Sequence, residues 1–204
     1  MELYAGKEDF TTSLEKSLSE IDPRWRDFKG LIVAGTHTPT DVEEKIEKIT
    51  QARRDRVPFL GICFGFQLMA ISYARSALGK IQANSTEINP DTNFPVVVKM
   101  NGLRVGMKST PDLWGKIQLE SFWHQYKINN EYDAHFVKDW KFVKCYDDKL
   151  GEYITDIMVY KPALDQNTVH MGVQFHPEYQ SSKEKKHWAL EEFLKIARYA
   201  TKSM

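Results

Sequence analysis

Two rhythms of apolar residues alternate along the first third of this chain. Asp9–Ile21 sets Leu14, Leu18 and Ile21 three or four positions apart, the spacing of one helix face. Thr40-Asp41 opens a second helical stretch that runs to Arg54, with Val42, Ile46 and Ile49 along one side and a side chain able to cap its start. A third stretch extends from Phe64 to Leu78. Between them lie unbroken apolar runs, Gly30–Gly35 and Pro58–Ile62, and a short one at Met1–Ala5. Continuous rather than alternating apolar character belongs to strands covered on both faces. Strand, helix, strand, helix, strand, helix predicts a doubly wound, mostly parallel α/β sheet with ligands at the carboxyl ends of its strands.

The second half reads as antiparallel. Pro95–Met100 and Leu103–Met107 flank Asn101-Gly102, whose residue types suit a tight hairpin turn with positive φ at both centres. Further strands are predicted at Ser121–Ile128, Phe142–Tyr146, Ile154–Tyr160 and Thr168–Phe175. A closing helix spans Ser182–Tyr199, with Leu190, Phe193, Leu194 and Ala197 on one face.

Composition narrows the function classes. The 204 residues carry 28 Lys+Arg against 28 Asp+Glu, and this zero balance argues against a strongly basic nucleic-acid binder. With 42% hydrophobic residues the chain reads as one globular domain over residues 1–204. No apolar run approaches the ~20 residues that cross a bilayer, and the start lacks the basic-then-apolar order of a secretory signal. A cytoplasmic location with no membrane or nucleic-acid partner is the expectation. The two cysteines, Cys63 and Cys145, cannot build a disulfide framework. His124, His135, His170 and His187 show no metal-site spacing, so neither a metal nor a cofactor is expected.

The chemistry concentrates in two short stretches. Gly61-Ile62-Cys63-Phe64-Gly65-Phe66-Gln67 sets a cysteine between glycines where a strand meets a helix. A nucleophile on so sharp a turn needs small neighbours, and the helix start favours a thiolate while the Phe64 N–H is available to developing negative charge. The bland alternative is a buried small apolar residue. Gly172-Val173-Gln174-Phe175-His176-Pro177-Glu178 puts His176 and Glu178 two apart at a strand end, on one face and about 7 Å apart in extended chain. A base oriented by a carboxylate beside an elbow nucleophile is the arrangement of covalent acyl transfer. Together the motifs nominate Cys63, His176 and Glu178 as catalytic. Cys145, with no glycine elbow, reads as a core thiol, and the Lys183–Lys186 cluster as a solvated helix start.

Gly61–Gln67 and Gly172–Tyr179 resemble the class I glutamine amidotransferases, whose fold is flavodoxin-like. Leu31–Ile46, Ala83–Val96 and Glu120–Asn129 are further similar to the glutaminase domain of CTP synthase. The resemblance implies that Cys63 attacks the γ-carboxamide of glutamine, that His176 relays protons and that Glu178 orients it. It also implies that ammonia leaves, for release or for a separate synthase, before water frees glutamate from a thioester. By the same resemblance Gly35 and Thr36, with Phe64, form the oxyanion hole. Gln67, Glu87 and Gln125 contact the substrate, Glu87 through its α-ammonium.

Two departures stand out. Thr36 replaces a family glycine, so a strained peptide costing ~1–3 kcal/mol is expected there. Gln125 replaces the arginine that pairs with the α-carboxylate, forfeiting a bidentate charged contact; Lys127 and Arg104 are candidate substitutes that the sequence does not place. The chain also has no phosphate-binding glycine loop, so it is not expected to make CTP alone. Three readings follow: a glutaminase or γ-glutamyl-conjugate hydrolase, a weakly active regulatory or binding module, and a cysteine peptidase on the same fold.

Overall fold

A computed structural model describes residues 1–4, 9–164 and 168–202; Ala5, at the end of the predicted first strand, lies outside the described residues. The elements are β1 Glu2–Tyr4, α1 Asp9–Ile21, β2 Leu31–Val33, α2 Val42–Arg54, β3 Phe59–Ile62, α3 Phe64–Ser76 and β4 Asn84–Ser85. They continue as β5 Pro95–Pro111, β6 Ile117–Ile128, α4 Asp133–Phe136, β7 Trp140–Asp147, β8 Glu152–Tyr160, α5 Lys161–Leu164, β9 His170–Val173 and α6 Trp188–Lys202. A six-stranded sheet runs β1-β2-β3-β9-β8-β7, parallel from β1 to β9, with β8 and β7 added antiparallel. A smaller sheet runs β4-β5-β6. The doubly wound, mostly parallel α/β architecture with an extra antiparallel region is therefore present.

Alternate residues of the buried strands serve opposite layers. Leu31, Val33 and Phe59 pack with Ile46 and Ile49 of α2 and Leu68 and Ile71 of α3, while Ile32, Leu60 and Ile62 pack with Leu14 and Leu18 of α1 and Leu190 and Phe193 of α6. Each strand is apolar at every position because both faces are covered. No helix among the described residues is long and apolar enough to cross a membrane.

Three local expectations are corrected. Asn101-Gly102 is not a turn: β5 runs through it with a bulge between Lys99 and Arg104, and Gly102 does not adopt positive φ. The reversal falls at Asp112–Lys116. There the Asp112 carboxylate accepts from the Trp114 and Lys116 backbone N–H groups at 2.9 and 3.0 Å and from Gln118 Nε2 at 2.9 Å, and Gly115 has φ +86°. Asp41 stands before α2 in a left-handed conformation, φ 52°, and its side chain makes no capping bond. Finally, α6 starts at Trp188 rather than Ser182, because Ser181 and Ser182 bond the His187 and Lys185 N–H groups in a turn.

Candidate active site

Three neighbouring strand ends deliver the site. In the order β2, β3, β9, the residues just past the strands are Ala34-Gly35, Cys63 and Gln174–His176, with Ile62 in register with Val173. The chain leaves β3 and enters α3 at once, forcing Cys63 to φ 50° and ψ −101°. The Cys63 N–H donates to Val173 O at 2.8 Å, fixing the turn to β9. Gly65 is required by contact: a Cβ there would lie 1.9 Å from Val33 O. As the first residue of α3, Phe64 has an N–H with no acceptor inside the helix. Holding a non-glycine residue in such a conformation costs roughly 1–3 kcal/mol, which surrounding packing must offset.

His176 and Glu178 are brought together, both almost fully buried, with His176 Nδ1 2.8 Å from Glu178 Oε1. Since an ionised carboxylate only accepts, Nδ1 carries the hydrogen and Nε2 is left for other work. Nε2 is buried and has no hydrogen-bond partner among the described residues. Burial opposes charging of this ring, but the Cys63 sulfur and then the Glu178 carboxylate outweigh it and lift its pKa from 6.5 to about 10. The ring lies beside the Cys63 sulfur, and its raised pKa favours the protonated form at neutral pH. Gly35 lies between the two groups: a Cβ on it would meet His176 Cε1 at 2.8 Å and Cys63 Cβ at 3.3 Å.

The sulfur has two further neighbours, Gln174 Nε2 at 3.6 Å and Trp123 O at 3.8 Å. The Gln174 amide can be oriented by following its partners. Tyr126 O must accept, so it fixes the Gln67 amide nitrogen at 3.1 Å; that nitrogen then meets Gln174 Oε1 at 3.4 Å, which turns Gln174 Nε2 toward Cys63. Gln67 therefore bonds protein groups behind the sulfur while still lining the cavity.

That cavity, about 220 Å³, is bordered by Thr36, His37, Cys63, Phe64, Gln67, Glu87, Leu103, Trp123, His124, Gln125 and Tyr126. Glu87 and Gln125 thus border the same cavity as Cys63. Arg104 and Lys127 do not. Arg104 is 2% exposed, bonds both oxygens of Asp156 and the carboxylate of Asp147, and lies over the Phe122 ring; Lys127 bonds Glu152 Oε2 at 2.6 Å. The strain expected at Thr36 is also absent, for only Asp41, Arg56 and Cys63 among described non-glycine residues have positive φ. Thr36 Oγ1 instead turns back to accept from the Thr38 N–H at 3.0 Å.

Cys145 is half-buried 3.1 Å from Thr110 Oγ1, and burial pushes its thiol pKa up, so it is poorly suited to act as a nucleophile. Three residues near the catalytic candidates escaped the sequence reading. Gln174 carried a signal, since period-two alternation puts it on the side of His176. Phe10, stacked on His176 at 5.0 Å, and Ser17, whose hydroxyl donates to Glu178 O at 3.1 Å, carried none, because only the tertiary fold lays α1 on this pair.

The family model "Glutamine amidotransferase class-I" matches residues 9–196. A CTP synthase of Methanopyrus kandleri is 35% identical over 83% of this chain and 34% of its own length. One of Sulfolobus acidocaldarius is 35% identical over 84% of this chain and 34% of its own. The chain thus spans about a third of these relatives. Among solved structures, the glutaminase domain of Trypanosoma brucei CTPS with bound acivicin superposes with a TM-score of 0.82 at 19% identity, covering 96% of this chain and 92% of that one. Its likeness concerns the fold, whereas the family match extends over nearly all of this sequence: the chain belongs to the class-I glutamine amidotransferases.

Proposed function

We propose that this chain hydrolyses the side-chain amide of glutamine, or of a γ-glutamyl compound, through a thioester on Cys63, with His176 and Glu178 completing the catalytic group. The observation that carries the reading is a cysteine on a strand-to-helix elbow, at the end of β3, beside a carboxylate-paired histidine at the end of the neighbouring β9.

The Cys63 thiolate attacks the amide carbon, forming a C–S bond and an oxyanion. In this reading the N–H of Phe64, without an acceptor inside α3, and a backbone N–H of the Gly35-Thr36 segment stabilise that charge. As the C–N bond breaks, Nε2 of the imidazolium gives its proton to the leaving nitrogen, and ammonia or an amine departs. The neutral imidazole then removes a proton from water, whose oxygen attacks the thioester. The C–S bond breaks, releasing the acid and restoring the thiolate–imidazolium pair. Glu178 stays ionised throughout and holds Nδ1–H in place. Gln174 donates to the sulfur through Nε2 at 3.6 Å and holds it in position.

The matched relatives are CTP synthases, and a separate enzyme that consumes the ammonia is the partner this reading calls for. Measuring glutamate and ammonia released from glutamine and from γ-glutamyl amines tests the proposal. Cys63→Ala is expected to lower the rate at least ~1,000-fold while leaving the folded state intact, since methyl for thiol nearly conserves volume. Glutamate from neither substrate, or full activity in Cys63→Ala, overturns it.

A further inference from the structure

We infer that the cavity beside Cys63 is built for a glutamine side-chain amide whose α-carboxyl is uncharged, consumed in an amide or peptide bond, and that free glutamine is the poorer ligand. This rests on the amide-hydrolase reading above and concerns the far end of the same substrate.

Size restricts the occupant first. About 220 Å³ falls below the roughly 300–1,000 Å³ of clefts that enclose drug-sized ligands, so a group of amino-acid size fills it. Charge restricts it further. Glu87 stands half-buried in the wall with no salt-bridge partner among the described residues, and burial raises its carboxyl pKa. A ligand ammonium satisfies both conditions, supplying the missing countercharge. Nothing in the wall does the same for an anion. No lysine or arginine borders the cavity. Arg104 on β5 and Lys127 on β6 are held by Asp156, Asp147 and Glu152, and moving Arg104 would strip two buried carboxylates of their partner.

Most of the other lining side chains are apolar or uncharged polar groups. His124 donates through Nδ1 to Tyr126 O at 2.8 Å, and burial lowers its pKa to about 3, so it stays uncharged. Leu103 and Trp123, each about half exposed, offer no hydrogen bond to a carboxylate at the rim. Gln125, Thr36 and Tyr126 complete the polar part. An α-carboxylate entering here would face Glu87 without a cation. An α-amide meets Gln125, whose own amide both donates and accepts.

The test separates binding from turnover. Titration calorimetry of the Cys63→Ala protein at pH 7.5 compares L-glutamine α-amide with L-glutamine. The α-amide is expected to bind at least tenfold more tightly; equal or tighter binding of glutamine overturns the inference. Gln125→Arg in the same background is expected to reverse the preference, and an unchanged ratio counts against it. Wild-type protein given both compounds reports on the parent reading. Ammonia from neither, with the binding preference intact, sinks the amide-hydrolase proposal and leaves the charge selectivity of the cavity standing.

Discussion

In the proposed mechanism His176 is the acid and base that serves Cys63, and that has a measurable consequence. With the imidazole pKa raised to about 10, proton donation to the leaving nitrogen persists through neutral pH and fails only as pH climbs through that value. The alkaline limb of kcat/KM is expected well above 7. Glu178→Gln, which removes one of the two influences stabilising the imidazolium, is expected to move that limb toward neutrality, and an unmoved limb would remove Glu178 from the assembly. Gly35→Ala is expected to cut turnover at least tenfold with little loss of thermal stability, because its Cβ meets the imidazole at 2.8 Å and forces the ring away from its place beside the sulfur. Wild-type kcat in that variant would show that the ring spacing is unimportant. At this scale both motif cysteine and histidine were legible, since glycine elbows and period-two alternation are local. The diversion of Arg104 and Lys127 was not, because their carboxylate partners lie far along the chain.

Elements were easiest to read where burial is total. β2, β3 and β9 are packed on both faces, and their apolar runs could serve no solvated structure. Legibility failed where local chemistry served another end. Asn101-Gly102 carries turn residues, yet it sits within a strand whose bulge lets Arg104 reach the buried carboxylates. The first residues of β6 were missed because Ile117 and Leu119 face outward while Gln118 and Glu120 turn inward, the reverse of the apolar-inward phase that Phe122 sets. The true reversal hangs on one carboxylate. Asp112→Ala removes three acceptor contacts, and at about 1 kcal/mol each an overall loss of roughly 1–3 kcal/mol is expected, read from the denaturant midpoint. A shift within error would mean that Gly115 alone makes the turn.

For the whole molecule, equal numbers of acidic and basic residues conceal a strongly uneven titration. His124 and His170 are buried, and desolvation lowers each pKa from 6.5 to about 3. Below pH 6.5 the unfolded chain takes up protons that the folded chain refuses, so stability falls with pH down to about 3, by up to ~1.4 kcal/mol per unit for each ring. His176 acts in the opposite sense: its contribution is complete below 6.5 and is lost as pH rises through about 10. Unfolding midpoints at pH 5, 7 and 9 are expected to peak near neutrality, and a maximum at pH 5 would contradict the burial of the two neutral rings. Composition alone gave no hint of this curve, which depends on where each imidazole is packed.

Phe10 lies flat on the imidazole and Ser17 grips the Glu178 carbonyl, which makes the amino-terminal helix a mechanical lever on the reacting groups. A substitution that loosens this helix is consequently felt at the imidazole without altering the ring itself, as Phe10→Ala or Ser17→Ala would show in the pH profile of turnover.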